Sequence, residues 1–178
     1  MDELIKDLEL KTAAARQAVD HKRKTILLAA DHAGWPLKED LKPFLRSEGY
    51  EVEDLGAYTL EPEDDYPGYM HLAGKRVSAE PGHYAAIIIG GSGQGEAVVV
   101  NRYPGVRAVV YYGGNEEILK LSRQHNDANI LSLGARFMTD TEAKNSVKLW
   151  LETSYPETPR HQRRIKKIDS DTTEENYF

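Results

Sequence analysis

After Thr25 the chain alternates short runs suited to β-strands with stretches at helical spacing, and this alternation limits the fold more than any other feature. The runs are TILLAA (25–30), YEVEDL (50–55), YAAIIIG (84–90), GVRAVVYY (105–112) and ANILSLG (128–134). Between the first two, Leu37, Leu41, Phe44 and Leu45 recur at i, i+4, i+7 and i+8, the stripe of an amphipathic helix, with Pro36 suited to its first turn. Pro43 stands against that helix, because an internal proline removes a hydrogen bond and tends to kink the chain. Farther on, Thr139 and Glu142 have the spacing of a capping box ahead of Ala143, Val147, Trp150 and Leu151, again a helical stripe. Such alternation predicts an α/β fold, a three-layer, Rossmann-like sandwich whose five-stranded parallel sheet is covered by helices on both faces. Ligands bind such sheets beyond the carboxyl ends of the strands, so the loops after the runs are where chemistry is expected.

At 178 residues the chain has the length of one domain. Residues 1–23 read as a polar amino-terminal extension with Leu4, Leu8, Ala14 and Val19 loosely at helical spacing, a surface or partly disordered helix. Residues 24–168 form the domain, and 169–178 a carboxy-terminal tail. The chain has no cysteine, which excludes disulfide scaffolds, thiolate metal sites and thiol nucleophiles. Its net charge of −6 disfavours nucleic acid or anionic membrane as a general partner, so any anion must be caught by a local cluster. No run approaches the roughly 20 apolar residues of a membrane span, and MDELIKDLEL has acids where a signal peptide carries positive charge. A cytoplasmic protein is expected.

The segment Gly90-Gly91-Ser92-Gly93-Gln94-Gly95-Glu96 follows a β-branched run and precedes a short predicted helix, 97–101. Glycines let consecutive amides converge on one point as an anion nest. A Walker A loop needs Lys and then Ser or Thr after its last glycine, where Glu96 and Ala97 stand, and the dinucleotide fingerprint fails in both registers. Nucleotide binding is therefore disfavoured. A carboxylate beside an anion nest suits Glu96 to proton abstraction next to a developing oxyanion, provided that desolvation raises its pKa. The same residue is equally suited to capping the helix amino terminus.

Other polar clusters are weaker. Asp31 and His32 end the first run, and His125-Asn126-Asp127 precede the fifth with groups able to bond sugar hydroxyls. Asp64-Asp65-Tyr66-Pro67 pairs two acids without the ligand spacing of a cation loop, and reads as a solvated turn before a helix, with no metal. Arg160 and Arg164 lie four apart in a basic run, so on a helix two guanidinium forks would share a face and clamp one phosphate. A small phosphorylated metabolite fits that run better than nucleic acid does.

Together DHAG, DDYP, GGSGQGE, NRYPGVRA, HNDAN, LGAR and RHQRR, in this order, resemble the type B ribose-5-phosphate isomerases, which with the galactose-6-phosphate isomerase subunits form one sugar-phosphate isomerase family. The resemblance runs from about Lys24 to Ile168. It implies cofactor-free and metal-free aldose–ketose isomerisation through an enediol, in a homodimer or tetramer whose active sites draw on two subunits. Glu96 matches the base of the glutamate branch; the other branch has cysteine at the position of Gly90. Ser92 matches an assisting hydroxyl, and the amides of Gly91, Gly93 and Gly95 match the nest that stabilises the enediolate. Asp31, His32 and Tyr66 match substrate-contacting positions. His125 and Asn126 match groups for ring opening and hydroxyl binding, and Arg136, Arg160 and Arg164 match phosphate-binding arginines, with His161 adjacent. The chain departs from many members at Tyr111-Tyr112-Gly113-Gly114, where they carry a Cys-His-Asp-like stretch, a difference that bears on ring opening and sugar length. Conversion of ribose 5-phosphate to ribulose 5-phosphate is the leading expectation. Isomerisation of allose 6-phosphate, galactose 6-phosphate or a tetrose phosphate is the alternative, as is a non-catalytic sugar-phosphate-binding subunit.

Overall fold

The computed structural model describes residues 24–170; the expectations for 1–23 and for most of the tail fall outside the described residues. In chain order the elements are β1 (Thr25–Ala30), α1 (Trp35–Ser47), β2 (Glu51–Asp54), α2 (Tyr66–Ala79), β3 (Tyr84–Gly90), α3 (Gln94–Val100), β4 (Ala108–Tyr111), α4 (Glu117–Asn126), β5 (Ile130–Gly134), a 3-10 turn (Ala135–Phe137), α5 (Asp140–Glu152) and α6 (Pro159–Asp169). The five strands form one parallel sheet in the order β2-β1-β3-β5-β4. The expected α/β sandwich is therefore present, and β1 and β3 have the residues expected of them. Among the described residues no helix is long and apolar enough to cross a membrane.

The strand residues alternate between two cores, as the pleat requires. Ile26, Leu28, Ile87, Ile89, Leu131 and Leu133 pack under the apolar stripes of α1, α4 and α5, with Leu41, Leu119 and Trp150 fully buried there. Leu27, Ala29, Ile88 and Ile130 face α2 and α3, against Met70, Val77 and Val100. Trp150 satisfies its indole N–H by donating to Ser122 Oγ at 3.1 Å. The capping box opens α5, with Thr139 accepting from the Glu142 amide and Glu142 accepting from that of Thr139; such a cap contributes about 1 kcal/mol.

Elsewhere the structure departs from expectation. Pro43 lies inside α1, on its exposed side and away from the apolar stripe. The run 105–112 gives a strand only from Ala108, because Val106 N–H closes a turn onto the Tyr103 carbonyl and Arg107 N–H donates to Asn129 Oδ1. Helix α3 starts at Gln94 rather than at 97, so Glu96 lies within its first turn. The expected tail also begins inside a helix, since α6 continues to Asp169.

The turn after β1 sets the position of everything beyond it. Gly34 donates its amide to Asp31 Oδ1 at 2.8 Å, and a Cβ on Gly34 would lie 2.4 Å from the carbonyl oxygen of Ile89. Helix α1 thus enters directly against the end of β3, an approach closed to any residue with a side chain. Because backbone cannot yield as a flexible side chain does, Gly34→Ala is expected to destabilise the domain by about 1–3 kcal/mol, measured by urea denaturation.

Candidate active site

At the carboxyl edge of the sheet, the segments leaving β1, β3 and β5 enclose an open cavity of about 340 Å³, the size of a small-molecule site. Its walls are Asp31, His32 and Ala33 from the first segment; Gly91, Ser92, Gly95 and Glu96 from the second; Arg136 and Phe137 from the third; and Tyr66 from the start of α2. It sits where chain connections leave β1 and β3 for opposite sides of the sheet, the switch point at which open α/β folds hold ligands.

Glu96 is only 4 % exposed. Its carboxylate fills the space beside Gly90, where an added Cβ would stand 2.0 Å from Oε1. A side chain at position 90 and this placement of Glu96 are mutually exclusive. Desolvation raises the Glu96 pKa above its ordinary value; a bond from its own amide opposes the rise and the nearby Asp31 charge adds to it. Asp31 is itself buried, with one oxygen engaged by Gly34. Ser92 Oγ accepts from the Gln94 amide at 3.3 Å.

Glycines make these approaches possible. A Cβ on Gly95 would meet the Tyr66 hydroxyl at 2.8 Å, and one on Gly91 would meet the Arg136 guanidinium at 3.2 Å. Arg136 is also tied to this loop by its amide, which donates to the Gly91 carbonyl. Gly93 has a different part: it does not line the cavity but takes φ 75° at the amino end of α3, and its carbonyl accepts from Ser132 Oγ at 2.6 Å.

The remaining expected site residues lie elsewhere in the same chain. His125 and Asn126 end α4, and Asp127 turns the chain, at φ 44°, into the start of β5. They therefore sit at the amino edge of the parallel sheet, about 16 Å of strand away from the cavity. His161 on α6 stacks on His125 with ring centroids 4.3 Å apart and planes 10° from parallel. Arg160 and Arg164 are exposed on the same helix. Burial, together with the charges of His125, Arg160 and Arg164, lowers the His161 pKa. Arg107 builds this end: its guanidinium donates to the backbone carbonyls of Asn126 and Asp127 and pairs with Asp169 of α6 at 3.0 Å.

The family model for ribose/galactose isomerase matches residues 26–168. The chain belongs to the ribose/galactose isomerase family. It is 37% identical over 140 residues to ribose-5-phosphate isomerase B of Mycobacterium tuberculosis, covering 79% of this chain and 85% of the relative. The enzyme of that name from Escherichia coli is 37% identical over 150 residues, covering 82% and 94%. Among solved structures, ribose-5-phosphate isomerase B from Mycoplasma genitalium with bound ribulose-5-phosphate superposes with a TM-score of 0.76 at 36% identity, over 81% of this chain and 93% of that one.

Two features of this family member escaped sequence reasoning. Asp64, expected in a solvated turn, has a side chain only 4 % exposed and bonded to His32 Nδ1 at 2.7 Å, while its neighbour Asp65 is exposed. The DDYP motif marks the place but not which acid turns inward. Phe137 reaches the cavity wall, and nothing in its sequence context distinguishes it from an ordinary loop aromatic.

Burying Glu96 makes the isomerase fold's stability depend on pH. A carboxyl whose folded pKa is raised adds stability fully below its unfolded value, near 4.5, and loses it as pH rises through the folded value. Glu96→Gln, which never ionises, is therefore expected to be more stable than the parent at neutral pH, with the advantage vanishing in acid below that range. Denaturation midpoints across pH check this; a constant difference would refute it.

Proposed function

We propose that the protein is a ribose-5-phosphate isomerase, interconverting ribose 5-phosphate and ribulose 5-phosphate through an enediol, with Glu96 as the base. The observation that carries this reading is the Glu96 carboxylate, desolvated in the vacancy beside Gly90 at the wall of a small cavity on the carboxyl edge of the sheet. Family membership supplies the reaction class, and the relatives' names favour ribose 5-phosphate over the other sugar phosphates.

The chemistry follows from the residues. Glu96 removes the C2 proton of the open-chain aldose, and its raised pKa brings its basicity closer to that of a useful base near neutrality. Electrons from the C2–H bond form the C1–C2 double bond of the enediol, whose oxygens are met by the Ser92 hydroxyl and by amides of the Gly91–Gly95 loop. Returning the proton from Glu96 to C1, with a proton passing from O2 to O1, completes the ketose. Atoms and electrons balance within the substrate. Asp31, His32, Tyr66 and Arg136 bind the sugar phosphate from the same side.

His125, Asn126, Arg160 and Arg164 cannot reach that cavity within one chain, because the sheet separates them. In this reading a second copy, placed with its amino edge against this cavity, brings His125 and Asn126 to ring opening and hydroxyl binding, and Arg160 and Arg164 to the phosphate. The stacked His125–His161 pair and the Arg107 anchor support a preformed surface for that role.

Glu96→Gln is expected to lower kcat by ~10²–10⁴ and to abolish exchange of the C2 proton with solvent, followed by NMR in D₂O, while sugar-phosphate binding persists. Near-normal turnover would remove Glu96 as the base. If the site spans two copies, an Arg160→Ala/Arg164→Ala chain is also inactive, and co-refolding it with the Glu96→Gln chain restores about a quarter of parent activity, from mixed dimers with one intact site. No recovery on mixing would place both groups in the site of a single chain.

A further inference from the structure

Asp64 is a buried carboxylate that the reaction as described does not use. One of its oxygens, Oδ1, accepts from the backbone amide of His32 at 3.2 Å and lies 2.7 Å from His32 Nδ1. The other, Oδ2, is buried with no hydrogen-bond partner among the described residues, so the charge of Asp64 is met through Oδ1, at His32. His32 is one-third exposed and lines the cavity beside Asp31, Glu96, Tyr66 and Arg136. A neutral imidazole carries one N–H, and a carboxylate at Nδ1 decides which nitrogen holds it.

We propose that Asp64 is a positioning residue: it grips His32 by backbone amide and Nδ1, fixing the ring so that Nε2 is left for the substrate and, when the ring is protonated, donates to one of its anionic oxygens. The inference rests on reading the cavity as a sugar-phosphate site and names how one wall of that site is held ready. The arrangement resembles a base-orienting carboxylate, but with the opposite consequence. The Asp64 bond and the charges of Asp31 and Asp64 raise the His32 pKa, against burial and the Arg136 charge, so the ring keeps its second proton farther up the pH scale. A protonated His32 offers an N–H at Nε2, which suits a phosphate or enediolate oxygen and does not compete with Glu96 for the C2 proton. Asp64 precedes α2, whose first residue, Tyr66, is itself a cavity wall, so one short segment places a sugar-facing ring and locks the imidazole opposite.

Two measurements test this. Imidazole ¹⁵N NMR of the unaltered protein is expected to show His32 with its neutral-form proton on Nδ1 and a titration midpoint above the ordinary 6.5. Asp64→Asn keeps the shape and an accepting oxygen but removes the charge. It is expected to lower the His32 midpoint and to raise KM for ribose 5-phosphate about tenfold above neutral pH, with kcat changed far less. In a His32→Gln background the same substitution should add nothing to KM. An Nε2–H tautomer, an unmoved midpoint in Asp64→Asn, or an undiminished penalty in the His32→Gln background would overturn the proposal. If the titration and tautomer are as expected but the parent binds no ribose 5-phosphate, the substrate reading fails while the pairing stands.

Discussion

Strand β3 is the member on which the rest depends. It bonds to β1 on one side and β5 on the other, and six of its seven residues are buried, so its two ladders join both halves of the sheet and its side chains seed both cores. Its last residue is the decisive one. Gly90 ends the strand without a side chain, the chain turns at Gly93, and α3 folds back so that Glu96 fills the space left open. Placing a carboxylate there costs stability, because desolvation opposes its ionised form. A strand terminus buried on both faces supplies the low-dielectric wall that raises the pKa of a carboxylate, and the missing Cβ supplies the room.

The polarity of a parallel sheet then divides the candidate site residues between two ends. Residues that follow a strand fall at the carboxyl edge, and residues that precede one fall at the amino edge, whatever their chemical affinity. His125 and Asn126 precede β5, Arg107 precedes β4, and the Arg107 guanidinium joins the two by donating to the Asn126 carbonyl. Asp31, Gly91–Glu96 and Arg136 follow β1, β3 and β5 and converge at the opposite edge. No side-chain rotamer bridges the length of a strand, so the split is a property of topology and is not open to local adjustment.

Much of this was legible in the order of residues. The β-branched run 84–90 and the run 25–30 mark strands without ambiguity, and the Thr139–Glu142 box announces a helix start correctly, because these signals are local. What stayed hidden depends on contacts between distant segments. Two adjacent acids, Asp64 and Asp65, look alike in sequence, and only the approach of the β1 segment distinguishes them by setting His32 against the first. Lys38 sits on a helix whose apolar stripe is plain, yet it is fully buried, its ammonium held by Asp54 at 2.5 Å and the Ala57 carbonyl at 2.7 Å. Burial works to raise the Asp54 carboxyl, but bonds from Lys38, Lys42 and the Gly56 amide outweigh it and hold it below its ordinary value. Helix α3 begins three residues before the expected 97, because Gly93 in the left-handed region turns the chain into it.

Charge gives the separation of the two clusters a further consequence. The cavity holds two buried acids, Asp31 and Glu96, against Arg136 and His32, in a chain whose net charge is −6. A phosphate dianion placed in that cavity would be repelled by the acids as well as attracted by Arg136, and would raise the Glu96 pKa further. Arg160 and Arg164 supply two positive charges at the other edge of the fold, where no acid of the cavity neutralises them. On the two-copy reading, the sugar's reacting end and its phosphate end are held by different chains, and the ligand itself bridges them. Substrate binding and assembly are then thermodynamically linked: a ligand that binds only the paired state must tighten the pairing by the same factor by which pairing tightens its binding.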